Sequence, residues 1–156
     1  MMREILFRGK LRDGNWCYGF YLKATNHWNK NGIHEDWIVE SVIQNGGYLN
    51  VCGRRAVIAE TVGQFTGLND KNGKKIFEGD VIQFHKFRDE PDWVGIISYD
   101  QCQYVVTGKM PLAYKKPMDG EAFHCPFEVT VSGIDKATIK VIGNIHDNPE
   151  LLEVAP

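Results

Sequence analysis

The sequence predicts a mostly β protein, and three observations carry that prediction. Short runs rich in β-branched and aromatic residues recur along the chain. Turn dipeptides separate these runs, among them Asp13-Gly14, Asn72-Gly73 and Gly79-Asp80. One helix start is visible, at Asn148-Pro149, because Asn is a favoured N-cap and Pro suits the first helical position. We therefore expect many short strands and one short C-terminal helix.

The N-terminal part is predicted to be a β-meander. Residues 3–8 and 15–22 are its first two strands, and Trp16, Tyr18 and Phe20 fall on one face of the second strand at period two. Further strands are expected at residues 36–43, 48–51 and 56–58, after a polar loop at residues 25–35.

Residues 61–84 organise the C-terminal part. They read as a strand, a tight turn at Asn72-Gly73, a short arm, a second turn at Gly79-Asp80 and another strand. We expect Gly79 to hold a backbone conformation that a Cβ disfavours, and the Asp80 side chain to tie down its own turn.

The order of elements after Gly79 is a strand, a connection, a hairpin, a long loop, a strand and a short turn. This order favours a small, strongly bent, SH3-like β-barrel. The domain prediction is a β-meander subdomain over residues 1–60 and an SH3-like barrel subdomain over residues 61–156, packed as one compact unit.

Composition narrows the function classes. The chain has 156 residues and a formal net charge of −2, so it carries no global basic field for nucleic acid or anionic lipid. Arg8 interrupts the first apolar run too early for a signal peptide, and no window is long enough to span a membrane. The four cysteines lack CxxC spacing, which favours free thiols in a reducing cytoplasm.

Candidate metal ligands are few. His124 and Cys125 are adjacent, and Cys102 and His85 could join them, but structural zinc sites use closely spaced ligand pairs that this set lacks. Cys125 is no better as a nucleophile, because its neighbour His124 would point to the other face of a strand. We expect no metal and no cofactor.

Two further groups could do acid–base chemistry. His27 and His34 flank a polar loop, where a solvated position is the simpler interpretation. Asp70, Glu78 and Asp80 could form a carboxylate pair, but Asp beside tight turns usually accepts hydrogen bonds from its own backbone. The structural interpretation is preferred for all five, and no catalytic residue is predicted.

Basic residues occur with aromatic residues in three clusters, which are Lys71, Lys74 and Lys75 on the hairpin arm, Lys86 and Arg88 beside Phe84 and Phe87, and Tyr114-Lys115-Lys116. Aromatic platforms with cationic edges bind single-stranded nucleic acid in small barrels, but acidic residues lie among these cations and favour a solvated, mixed-charge face. The candidate nucleic-acid contacts are Lys74, Lys75, Lys86 and Arg88.

Two loops carry more apolar and aromatic residues than solvated loops normally do. Such residues are enriched in interface cores. The candidate interface residues are Trp28, Met110, Leu112 and Tyr114. With the open edges of short strands, they predict a homo-oligomer of closed symmetry.

Three segments of the chain resemble one known family. They are FRGKLRDGNWCYG (residues 7–19), TVGQFTGLNDKNGKKIFEGDVI (residues 61–82) and VIGNIHDNPELL (residues 141–152). Together they resemble the YopX family of phage and prophage proteins. The resemblance implies a mostly β protein, encoded by bacteriophages or prophages and often oligomeric; it implies no reaction and supplies no catalytic residue.

The functional prediction joins these points. We expect a phage-encoded, non-catalytic β protein of the host cytoplasm that acts through protein–protein contacts and self-assembly, without a membrane segment. The alternative is a nucleic-acid-binding SH3-like barrel, and a weaker alternative is an enzyme of unknown class.

Overall fold

The computed structural model describes residues 4–25, 34–45, 48–85, 93–109 and 126–153. Within these ranges the protein is mostly β, with two antiparallel sheets. The strands are β1 (Phe7–Lys10), β2 (Trp16–Thr25), β3 (His34–Asn45), β4 (Tyr48–Ala56), β5 (Ile58–Asn69), β6 (Lys75–Phe77), β7 (Asp80–Phe84), β8 (Trp93–Asp100), β9 (Gln103–Lys109), β10 (Pro126–Thr130) and β11 (Lys140–Asn144). A single helical turn, α1 (Glu150–Glu153), follows Asn148-Pro149.

Contacts divide the chain into two compact units, Met1–Gly67 and Leu68–Pro156. The sequence places the division earlier, after residue 60. Strand β5 runs without a break from Ile58 to Asn69 and so contains both the predicted and the observed division. No helix in the described ranges is long and apolar enough to cross a membrane.

The first unit is built on strands in the order β4-β3-β2-β1-β5, and β6 follows β5 in the same sheet. Strand β4 is one continuous strand rather than the two short strands that the sequence predicts. Gly53 lies inside the strand with a φ of +67°, and residues on both sides of it stay paired with β3, so this glycine does not end the strand.

Strand β2 changes partner at its middle. Its first half pairs with β1, from Lys10↔Trp16 to Phe7↔Gly19, and its second half pairs with β3 from Phe20↔Val39 onward. Gly19 stands at the exchange, where a Cβ would lie 2.1 Å from the backbone oxygen of Val39. Glycine is therefore required there, because the crossing strand approaches too closely for any side chain.

The second unit contains an antiparallel sheet of order β10-β9-β8-β7-β11. The expected hairpin is present, and it pairs β8 with β9 from Val94↔Lys109 to Asp100↔Gln103. The predicted SH3-like barrel is not confirmed. Among the described strands β10 and β11 stand at opposite ends of the sheet, and no pairing between them closes it.

The core of the second unit forms one apolar cluster. Trp93 and Phe84 are its largest members, with ring centroids 6.3 Å apart, and both are almost completely buried. The other buried members are Ile76, Ile82, Ile97, Val106, Val131, Ile134, Ile139 and Val141. Burial of this many large side chains supplies the main driving force for folding of the unit.

Asp70 ties the β5–β6 turn to a distant strand. One carboxylate oxygen accepts hydrogen bonds from the backbone N–H groups of Asn72 (2.8 Å) and Lys74 (2.9 Å). The other oxygen accepts one from the N–H of Val141 in β11, at 3.1 Å. A neighbouring backbone bond, from the N–H of Lys71 to the oxygen of Ile139 (2.9 Å), runs between the same two segments.

The second turn of the organising stretch is a junction of backbone bonds. Gly79 donates to the oxygen of Ile97 and accepts from the N–H of Ile145, both at 2.9 Å. Asp80 is buried and accepts a hydrogen bond from the N–H of Phe77 at 2.8 Å. Gly79 has a φ of +76°, the sign that the sequence predicts.

The chain that follows β11 packs against this strand at another glycine, Gly143. A Cβ at Gly143 would lie 2.6 Å from both Asn148 Oδ1 and Leu151 Cδ1. Asn144 accepts hydrogen bonds from the N–H groups of His146 (2.9 Å) and Asp147 (3.0 Å). The chain after β11 therefore forms a turn that packs against β11.

We expect Gly79→Ala to lower the free energy of unfolding by about 1 kcal/mol or more, because alanine disfavours positive φ. A Cβ at this position would lie 3.5 Å from Ile145, an ordinary contact, so the cost is conformational rather than steric. Gly79→Asn is the matched control, since asparagine tolerates positive φ, and should recover part of the loss. Equal denaturation midpoints for wild type and Gly79→Ala would contradict this.

We expect Asp70 to make stability fall at acid pH. Burial by itself would raise the pKa of Asp70, but hydrogen bonds from Val141, Lys74 and Asn72 outweigh burial and hold the pKa below its ordinary 3.8. A carboxylate with a lowered pKa stabilises the folded state above the unfolded pKa, and this contribution is lost as pH falls through the folded pKa.

The measurement is the urea midpoint of wild type and Asp70→Asn between pH 6 and pH 2. The difference between the two proteins should be constant above about pH 5 and should shrink below pH 4. A difference that does not change with pH would show that the charge of Asp70 contributes nothing.

Candidate functional site

Strand β2 exposes a row of large apolar side chains. Tyr18, Phe20 and Leu22 alternate along the strand and are 51%, 52% and 44% exposed, whereas Cys17 on the opposite face is buried. These three residues are called the β2 surface below. Large apolar side chains that group together on a soluble protein mark interaction sites, whereas scattered ones do not.

Strand register shows what surrounds the β2 surface. Paired residues share a face, so Arg8 lies beside Tyr18, Val39 beside Phe20 and Trp37 beside Leu22. The Arg54 guanidinium lies 5.9 Å from the centre of the Trp37 ring. On the other side of the row, the guanidinium of the buried Arg8 lies 4.7 Å from the centre of the Trp16 ring. Two stacked arginine–tryptophan pairs therefore flank the row.

A hydrogen bond on the opposite face holds β2 to β3. The Tyr21 hydroxyl donates to the Asp36 carboxylate, and the Tyr21 ring packs against Phe7 with 5.6 Å between centroids. The hydrogen bond to Asp36, helped by burial and by the negative charge, raises the pKa of Tyr21 to about 12. The Tyr21 face of β2 therefore makes contacts between strands, whereas the β2 surface is the exposed face of the same strand.

An open pocket of about 520 Å³ lies beside the start of β2. It is lined by Leu11, Asp13, Asn15, Trp16, Cys17, Tyr18, Glu40 and Arg55. An ion pair joins Arg55 Nε to Glu40 Oε1 at 2.7 Å, with about half of each side chain exposed. Burial raises the pKa of the Cys17 thiol, and Cys17 Sγ donates to the oxygen of Gly9 at 3.4 Å. Cys17 is therefore a neutral, structural thiol at neutral pH.

The predicted turn residues lie at the β5–β6 turn and at the β6–β7 turn. Gly73 has a φ of +82°, and Asn72 donates its N–H to Asp70. Two of the predicted nucleic-acid contacts, Lys74 and Lys75, follow directly in sequence, with Lys74 exposed. The other two, Lys86 and Arg88, lie outside the described residues, as do the predicted interface residues Trp28, Met110, Leu112 and Tyr114.

The candidate metal ligands are only partly described. Cys102 is exposed at the tip of the β8–β9 hairpin with a φ of +64°, and His85 is exposed after β7. His27, His124 and Cys125 are outside the described residues. Across the described ranges, no group of three or more His, Cys, Asp or Glu side chains could hold a metal ion.

The β2 surface and the pocket were not predicted as sites. The sequence shows the period-two aromatic pattern of β2, but pattern alone does not tell which face a neighbouring layer covers. For the pocket no local signal exists, because its lining residues Asp13, Glu40 and Arg55 are far apart in sequence and lie around one pocket only in the folded chain.

Comparisons with known proteins extend over nearly the whole chain. A family model described as "YopX protein" matches residues 7–153. The crystal structure of protein EF1440 from Enterococcus faecalis is similar to this chain, with a TM-score of 0.55 and 21% sequence identity, over 97% of this chain and 99% of the other. At this identity the likeness shows the fold. No curated protein matches the sequence.

We expect the Tyr21 phenol of wild type to stay mostly protonated at pH 11, because its pKa is raised to about 12. In Asp36→Asn the carboxylate is gone, so the pKa should move toward the ordinary tyrosine value of about 10. The ¹³C shift of the Tyr21 ring carbon bearing the hydroxyl reports ionisation directly. The same ionised fraction in both proteins at pH 11 would remove the proposed role of Asp36.

Proposed function

The chain belongs to the YopX family, and we propose that it is a phage- or prophage-encoded β protein that performs no catalysis and acts through protein–protein contacts, first of all with a second copy of itself. The observation that carries the proposal is the β2 surface. The phage origin, and the bacterial host cytoplasm as compartment, rest on the family resemblance.

Apolar burial supplies the driving force for such a contact. Full burial of one large apolar side chain is worth about 1.5–3 kcal/mol, and roughly half of each side chain in the β2 surface is still exposed. Aromatic residues are enriched in interface cores, and two of the three members are aromatic. Contact with a second protein would therefore bury the exposed part of the β2 surface, and this burial would favour association.

The strand edges support a contact through the face rather than through an edge. Natural proteins block edges with charges, bends, prolines or short strands. Here β4 carries the charged residues Arg54 and Arg55, and β6 has three residues. In the other sheet β10 begins with Pro126, and β11 shifts register between Val141 and Gly143.

The carboxylates that the sequence offered for acid–base work support a non-catalytic role. Asp70 accepts three backbone hydrogen bonds, and Asp80 accepts one from its own turn. Both are buried and hold the backbone, which is the structural use of Asp beside tight turns.

Nucleic-acid binding is the second candidate, favoured by the two arginine–tryptophan pairs that flank the β2 surface. However, Arg8 and Arg54 already cover the Trp16 and Trp37 rings, and Arg8 is buried, so few rings and cations remain for bases and phosphates. The aliphatic Leu22 also offers no stacking plane. These features favour a protein partner. Lys74, Lys75, Lys86 and Arg88 remain the charge-reversal positions for this alternative.

The test is the molar mass by light scattering across a dilution series from about 100 to about 1 μM. We expect wild type to show a mass above that of one chain at the upper end. Phe20→Ser and Leu22→Ser should shift the transition to higher concentration, because each removes part of the apolar area. Tyr99→Ser is the matched control, since Tyr99 is 54% exposed on the second unit.

A wild-type mass of one chain at every concentration would contradict self-association. An oligomer that survives both β2 variants would place the contact elsewhere. Circular dichroism of each variant should match wild type, because all three side chains are exposed and their replacement leaves no cavity.

A further inference from the structure

Charged residues of opposite sign stand beyond the two ends of the β2 surface. Residues paired across neighbouring strands share a face of the sheet, and residues two apart along one strand also share it. Lys10 of β1 pairs with Trp16, and Glu35 of β3 pairs with Ala24. The β2 surface lies between Trp16 and Ala24 in the same alternation along β2, so Lys10 and Glu35 belong to the same face of the sheet as the apolar row.

Lys10 and Glu35 occupy diagonally opposite corners of this face. Strands β1 and β3 flank β2 on opposite sides. The positions from Trp16 to Ala24 span about 26 Å along β2, at a rise of roughly 3.3 Å per residue, and Phe20 is at the midpoint. Glu35 is exposed and Lys10 is half-buried. A charged corner of each sign therefore stands at either end of the exposed apolar row.

Two arginines share the face and make its two ends unequal. Arg8 is buried and pairs with Tyr18, on the side of Lys10. The Arg54 guanidinium lies over the Trp37 ring, at the other end of the row. On strands β1 to β4, the first end therefore carries two cations, whereas the second end carries one cation and one carboxylate.

These charges distinguish the two simple ways in which two copies of the face can meet. In a parallel arrangement each end meets its own copy, so the two cationic ends are opposed. In an antiparallel arrangement a two-fold axis passes near Phe20, across the line from Lys10 to Glu35, and exchanges the corners. Lys10 of each copy then faces Glu35 of the other copy, and opposite charges stand on both sides of the apolar centre.

We propose that two copies of this chain associate through their β2 surfaces in the antiparallel, two-fold arrangement, with Phe20 near the axis and a Lys10–Glu35 ion pair between the copies at each end. This arrangement rests on the proposed self-association and adds its orientation. Apolar burial supplies the affinity, and the opposed like charges of the parallel arrangement disfavour the wrong orientation. A contact of this symmetry closes at two chains.

The test is a charge swap, measured by light scattering over the same dilution series. Lys10→Glu opposes two carboxylates at each end, and Glu35→Lys opposes two ammonium groups, so each single variant should raise the dissociation constant about tenfold. The double variant restores opposite charges at both ends and should return to within about threefold of wild type. Its net charge equals that of wild type, and its recovery separates a lost contact from a lost fold.

Lys23→Glu is the matched control, because Lys23 is an exposed lysine of β2 on the face opposite to the β2 surface. This variant should associate like wild type. Association that neither single reversal weakens, or that the double variant does not recover, would overturn the antiparallel arrangement and leave the proposed self-association standing. A wild-type mass of one chain at every concentration would overturn both and would assign the β2 surface to a different protein.

Discussion

The structure of the second unit depends on one buried carboxylate. Asp70 accepts three backbone hydrogen bonds, two within its own turn and one from Val141 in β11, 71 positions further along the chain. The carboxylate therefore joins the β5–β6 turn to strand β11. A buried N–H without a partner costs about 1–3 kcal/mol, so removing this acceptor would affect both segments at once. Gly79 adds a second junction, between β8 and the segment after β11.

The first unit is organised by a different constraint. Strand β2 pairs with β1 and then with β3, and Gly19 allows the exchange because Val39 leaves no room for a Cβ. On one face of β2, the hydrogen bond from Tyr21 to Asp36 joins β2 to β3. The other face displays Tyr18, Phe20 and Leu22. About half of each side chain in this apolar row is exposed, which is why we assign the row to a contact with a second protein.

Local features were predictable from the sequence and long-range ones were not. Asn72-Gly73 and Gly79-Asp80 mark turns because positive φ is a property of the residue itself. The third hydrogen bond of Asp70 depends on where Val141 packs, which no local pattern encodes. Closure of a barrel likewise depends on pairing between distant strands, and among the strands that the structure describes β10 and β11 stand at opposite ends of their sheet. The Glu40 side chain accepts a hydrogen bond from Arg55 Nε and lies where a Cβ at Gly53 would be, a relation visible only after β3 and β4 have paired.

Amide hydrogen exchange tests the role of Asp70 most directly. In Asp70→Asn one acceptor oxygen becomes an NH₂ group, so at least one of the three backbone N–H groups loses its partner. The amide of Val141 should exchange about tenfold faster than in wild type or more, while the amides of Val105 and Val106 in the core strand β9 should change less. Unchanged exchange at Asn72, Lys74 and Val141, or an equal acceleration at every core amide, would contradict the claim that this carboxylate joins the turn to β11.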